Sequence, residues 1–175
     1  MVFRTVELTP TTVHIFCHKL CWLDRWEKML AFEDDLNAPT LNLVVQPDTA
    51  ALLVRDGILW SLQQPDSEGY AIVFGDTILA IGGFRQHCAW LLFSEYAIDN
   101  IGALRYIKKT VRAKLQEYTK KVNPVGNFFP LDNTYLSHER TTKFLKSVCK
   151  GVLDYKQVFS EDNHFYITIG RELDV

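Results

Sequence analysis

The segment "GALRYIKKTVRAKLQEYTKK" (102–121) constrains the fold most. Leu104, Ile107, Val111, Leu115 and Tyr118 recur at intervals of three and four, which draws one apolar stripe along a helix. Arg105, Lys108, Lys109, Arg112, Lys114, Lys120 and Lys121 stand beside it against Glu117 alone. The stripe needs an apolar floor, and the preceding residues supply one. "YAIVFGDTILAIGGF" reads as two strands meeting at Gly75-Asp76 and "CAWLLFS" as a third, an antiparallel meander that leads into the helix.

The flanks complete a mixed layout. Val2, Arg4, Val6 and Leu8 alternate with Phe3, Thr5 and Glu7 as in a strand, and "TPTT" can start a helix. Helical spacing continues through "TVHIFCHKLCWLDRWEKMLAF" (12–32), and "DTAALLVRDGILWSLQ" (48–63) predicts a second helix, apolar all round and therefore well buried. After the basic helix come a short strand "NFFPL", a helix "SHERTTKFLKSVCKG" closed by Gly151, and a hairpin "YKQVFSEDNHFYITIG" turning at "SEDN". The order is strand, two helices, three strands, helix, strand, helix, hairpin. This predicts an α+β fold around one mainly antiparallel sheet flanked by about four helices.

At 175 residues the chain is expected to be a single domain, with 1–70 giving a strand plus two helices and 71–175 the rest. No apolar run approaches the roughly 20 residues of a membrane span, and "MVFRTVELTP" lacks the apolar core of a signal peptide. The expected location is a cytosol, or a particle packaged from one. Cys17, Cys21, Cys88 and Cys149 form no C-x-x-C pair and read as reduced, mostly buried thiols. A net charge of −2 speaks against coating nucleic acid, but Lys108, Lys109 and Arg112 form a local basic patch suited to DNA phosphates or an acidic partner. His14, Cys17, His18 and Cys21 lie within two turns of one predicted helix and so cannot enclose a metal tetrahedrally; no metal is expected. Trp22, Trp26, Trp60 and Trp90 read as core or interface anchors.

The motifs "FGDTILAIGG", "AWLLFSE", "ALRYIKKTVRAKLQEY", "KFLKSVC" and "FYITIG" together resemble the GNAT acyltransferase fold, and more closely the GNAT-like internal virion proteins of short-tailed phages of the T-seven type. The resemblance spans about 74–170; the first 70 residues match in element order only. It implies acetyl-CoA or CoA as cofactor, with pyrophosphate at the N-terminus of the basic helix, pantetheine lying as a pseudo-strand beside the third meander strand, and phage virion proteins as partners in the host cytoplasm or in the particle. Carried onto this sequence, the cofactor contacts are Leu92, Phe93, Ser94, Ile101, Gly102, Ala103 and Arg105, and Glu95 is the candidate general base.

Two departures bear on activity. The family's Q/R-x-x-G-x-G/A loop becomes Asp99-Asn100-Ile101-Gly102-Ala103-Leu104, with an acidic residue where a cationic or amide one is usual, which repels a pyrophosphate. The tyrosine that protonates the departing thiolate in such enzymes falls at Leu145, which has no proton to give; Tyr135 and Tyr155 lie to either side without the family's spacing. The resemblance therefore points to a virion or virion-assembly protein with degenerate acetyltransferase activity. The alternative is an acetyl-CoA-dependent N-acetyltransferase acting on an amine of a host protein or small molecule. The enzyme needs a splayed gap beside the third meander strand; the virion protein allows that gap to be filled, with Phe93, Phe128 and Phe129 as the expected filling.

Overall fold

The structure, a computed structural model, describes residues 2–19, 47–130, 135–159 and 164–173. Its elements in chain order are β1 (Phe3–Glu7), α1 (Pro10–Cys17), α2 (Pro47–Leu62), β2 (Ser67–Phe74), β3 (Thr77–Arg85), β4 (Cys88–Phe93), α3 (Glu95–Ile98), α4 (Ile101–Tyr118), β5 (Val125–Pro130), α5 (Tyr135–Cys149), β6 (Asp154–Phe159) and β7 (His164–Gly170). The strands form one sheet in the order β1-β2-β3-β4-β5-β7-β6. Every neighbouring pair is antiparallel except β4 and β5.

Both faces of the meander are covered, which explains why β2 and β3 read as continuous apolar runs rather than alternating ones. Tyr70 and Ile72 face α4 and α5 and share a core with Ile107, Leu115 and Val148. Ala71 and Val73 face the opposite way, onto Val13 and Phe16 of α1 and Val54 and Ile58 of α2. A bulge at Ile72/Val73 shifts the β2–β3 register, and the carbonyl of Leu79 accepts from Ser94 N–H at 2.9 Å, just past β4.

The structure departs from the sequence reading in three places. α1 opens as expected, with Thr9 Oγ1 accepting from Thr12 N–H, but it stops at Cys17. The chain is turned there by two bonds: Lys19 N–H donates to Phe16 O at 2.7 Å, and Lys19 O accepts from Glu95 N–H at 2.9 Å. The rest of the long helix predicted over 12–32 lies outside the described residues, as does the "SEDN" turn. α2 is buried on one face only: Ala51, Val54 and Ile58 are inside, whereas Leu52 and Trp60 are exposed. Burial follows the helical stripe that meets the sheet, and the remaining apolar residues are left over. The third difference is α3, a single turn capped at Asp99, which brings the described helices to five.

Candidate functional site

Between β4 and β5 the sheet nearly comes apart. The two strands share one bridged pair, Cys88 with Gly126, reinforced by Gly126 N–H donating to His87 O at 2.6 Å. β4 is fully paired to β3 on its other edge, and β5 is fully paired to β7 on its own. Beyond the bridge the facing edges, Ala89–Phe93 and 127–130, share no ladder pair. A wedge lined by main-chain donors and acceptors results, and an extended ligand with amide groups can pair with such edges as an added strand does.

The open end of the wedge leads to the N-terminus of α4. Leu92 and Phe93 are buried, and the Phe93 ring meets Phe144 of α5 edge-on at 5.5 Å. Ser94 is fully buried, and its hydroxyl has no hydrogen-bond partner among the described residues; a buried hydroxyl left so costs about 1–3 kcal/mol unless a ligand relieves it. After α3, Asn100 caps α4: its side-chain oxygen accepts from Ala103 N–H at 2.9 Å, and its carbonyl accepts from Leu104 N–H at 2.9 Å. The N–H groups of Ile101 and Gly102 are thus the first-turn donors without an intrahelical partner, at the positive end of an 18-residue helix. A Cβ on Gly102 would come within 3.2 Å of the capping oxygen, so this glycine serves the cap as well as any close approach by an anion. Asp99, Asn100, Ile101, Gly102 and Arg105 are exposed.

The fold that carries this arrangement recurs in solved structures. PaiA N-acetyltransferase from Thermoplasma acidophilum in complex with coenzyme A matches over 98% of this chain and 99% of its own at TM-score 0.54 and 10% identity. AAC(6')-Ib in complex with ribostamycin and coenzyme A matches over 98% and 94% at TM-score 0.59 and 9% identity. RimL, the ribosomal L7/L12 alpha-N-protein acetyltransferase in complex with coenzyme A, matches over 97% and 93% at TM-score 0.53 and 9% identity. The fold is that of the GNAT acetyltransferases. No protein-family model matches the chain, and no curated protein matches it in sequence.

On this GNAT frame the candidate proton-transfer residues fall unevenly. Glu95, the first residue of α3, is half-exposed and faces Lys19 Nζ at 3.7 Å; Lys19 also sits 5.8 Å from the centre of the Tyr96 ring. This ion pair joins the end of β4 to the end of α1. Leu145 is buried on α5. Tyr155 lies on β6, in register with Ile169 of β7, which is in turn opposite Val125 of β5. Two strand spacings of about 4.8 Å each separate it from the wedge, and burial raises its phenol above the usual range. The side chains of Tyr135, Phe128 and Phe129 lie outside the described residues.

The basic helix is less free than its sequence suggests. Arg112, expected in a DNA-facing or acid-facing patch, instead reaches the end of α5: Nε donates to Val148 O at 2.7 Å, and one terminal nitrogen donates to Ser147 O at 2.9 Å and Lys150 O at 3.4 Å. Lys114 Nζ lies 5.7 Å from the centre of the Tyr70 ring, and Lys121 pairs with Glu68 at 3.0 Å. A pattern of charges cannot tell a solvated cation from one that caps a distant helix. Asn100 was also missed as a functional residue, although an asparagine before an apolar-periodic run is a cap signal.

On α1, Cys17 is buried while His14 and His18 are exposed and pack edge-on at 5.2 Å. The thiol is turned into the core while the two imidazoles stay at the surface, and Cys21 lies outside the described residues. No group of three or more metal-ligating side chains occurs among the described residues. Trp60 is exposed, with the Arg85 guanidinium 5.0 Å from its ring centre, so of the core-or-interface expectation the core half does not hold for it. No described helix is long and apolar enough to cross a membrane.

Proposed function

We propose that the chain binds a CoA thioester in the wedge between β4 and β5 and acts as an N-acyltransferase on an amine. The observation that carries this reading is the single bridge at Cys88–Gly126, which leaves two strand edges open where most sheets would close them. The residues fit the group in outline: main-chain edges from Leu92 to Ser94 suit the pantetheine amides, and the N–H groups of Ile101 and Gly102, with Arg105 on the next turn, suit its phosphates. The buried Ser94 hydroxyl is a further polar group at the same place. Bound there, the thioester supplies an activated acyl carbonyl. Glu95 is the candidate to take a proton from the incoming amine. Leu145 offers none to the departing sulfur, so that proton comes from water, and turnover is slow beside an enzyme with a phenol at this position.

A second reading, a virion or virion-assembly component of a short-tailed phage made in the host cytoplasm and packaged, is favoured by particular side chains. Asp99 stands where it repels pyrophosphate, Asn100 occupies one donor of the cradle, and the Phe93 ring at the end of β4 is packed edge-on against Phe144 of α5. In this reading the partners are other virion proteins, with Arg105, Lys108 and Lys109 as the basic contact surface and Arg112 withdrawn from it.

Titration of the protein with CoA and acetyl-CoA, by calorimetry and thermal shift, separates the two. Binding raises the melting temperature by an amount that grows with ligand concentration, and the acyltransferase reading requires it. Absence of heat and shift at millimolar ligand leaves the virion reading.

A further inference from the structure

We infer that the closed end of the wedge is an acyl-chain pocket, and that the thioester preferred carries a chain of about four carbons rather than acetyl. This rests on the CoA reading above and narrows it to a substrate class.

Direction comes first. β4 runs from the bridge at Cys88 toward Ser94, and the α4 donors follow at Ile101 and Gly102. A ligand with its phosphates on those donors and its amides along β4 therefore points its acyl end back toward the bridge. A cavity of about 30 Å³ lies there, walled by Ala89 and Leu91 of β4, Val125 and Gly126 of β5, and Leu115 and Leu145 of the helices above. Ala89, Leu91 and Gly126 are partly exposed while Val125, Leu115 and Leu145 are buried, so the cavity opens toward the strand gap and is closed inward by the core.

Chemistry and size then choose the occupant. An amine acceptor or a second phosphate would lose its hydration against this carbon-rich wall, where Tyr70 and Trp90 are the lining residues whose side chains carry a polar atom and neither bears a charge. A hydrocarbon tail loses nothing. The volume takes about two water-sized groups, which is two methylenes beyond acetyl. The back is closed by the Cys88–Gly126 bridge and the His87–Gly126 hydrogen bond, so a much longer chain has no way through. Leu145, which removes the proton donor from this helix, contributes a wall of the same cavity.

The test is calorimetric titration of the full chain with CoA, acetyl-CoA, butyryl-CoA and octanoyl-CoA. Butyryl-CoA is expected to bind about 15-fold more tightly than acetyl-CoA, about fourfold for each buried methylene, and octanoyl-CoA more weakly than butyryl-CoA. In Ala89→Leu, which fills the cavity, the butyryl-to-acetyl ratio falls to about one. Should that variant fail to fold, the chain-length series on the unaltered protein still decides. Equal affinities for acetyl-CoA and butyryl-CoA overturn the pocket and leave the CoA reading standing, and so does tighter binding of octanoyl-CoA than of butyryl-CoA. No binding of any of the four overturns both.

Discussion

From β1 to β4 each strand meets its neighbour along most of its length, whereas β4 and β5 meet at Cys88–Gly126 alone. The first region is held by backbone ladders with apolar cores on both faces. The second is held from above, where α4 and α5 pack across the seam through Ile107, Leu115, Leu145 and Val148 and Arg112 grips the last carbonyls of α5. Two halves of a sheet can thus be fixed to each other with main-chain bonding at one end only, and the strand edges that this frees become a binding surface.

The contrast can be broken most severely on the ladder side. A Cβ at Gly83 would collide with the Glu68 carbonyl and lie 2.7 Å from the Trp90 ring, and neither the backbone nor a packed indole can yield cheaply. Gly83→Ala is expected to cost about 3–4 kcal/mol, read as a urea midpoint shift or a fall in melting temperature of about 10 °C. On the seam side the sensitive residue is Arg112. Arg112→Met keeps much of the stem but strips the α5 carbonyls of their charged donor, an expected loss of about 2–3 kcal/mol. If the seam is held as argued, hydrogen exchange in the variant speeds up first in α5, not in β2 and β3.

A pH experiment probes the same seam. Burial pushes the Cys149 thiol up from the ordinary 9.0 to about 11, against the opposing pull of the Arg112 charge. The folded protein therefore holds this proton more tightly than the unfolded chain does. Stability from this group is whole below pH 9 and falls as the pH rises from 9 to 11, by about 2 kcal/mol. Cys149→Ala should flatten that part of a denaturation-versus-pH curve. Cys17, under α1 and pushed up by burial to about 12, contributes a loss of the same sign that extends higher.

The smallest expected effect sharpens the comparison from the other direction. A Cβ at Gly126 meets nothing closer than 3.7 Å, and alanine narrows the unfolded ensemble. Gly126→Ala should leave stability unchanged or raise it by up to about 1 kcal/mol. A loss as large as that of Gly83→Ala would show the seam to be as tightly packed as the meander, and the wedge would lose its basis.

Much of this architecture is local, and local features are legible in sequence. The stripe at Leu104, Ile107, Val111, Leu115 and Tyr118 specifies α4, Gly75 marks the β2–β3 turn with φ +60°, and Gly151 at φ +76° closes the α5 segment, because helical period, turn geometry and left-handed backbone each depend on a few neighbouring residues. The site is of another kind. Val125–Pro130 reads as a strand, but its divergence from β4 depends on where residues 38 positions apart, Cys88 and Gly126, stop pairing, and nothing in either segment encodes that point. Arg112 shows the same limit. The sequence by itself determined most of the helices and strands, α3 and the end of α1 excepted, and that they form a mixed α+β sheet; the wedge, the cavity behind it and the side chains that hold the two halves together were decided only in tertiary structure, because each depends on contacts between residues that have no local signal of meeting.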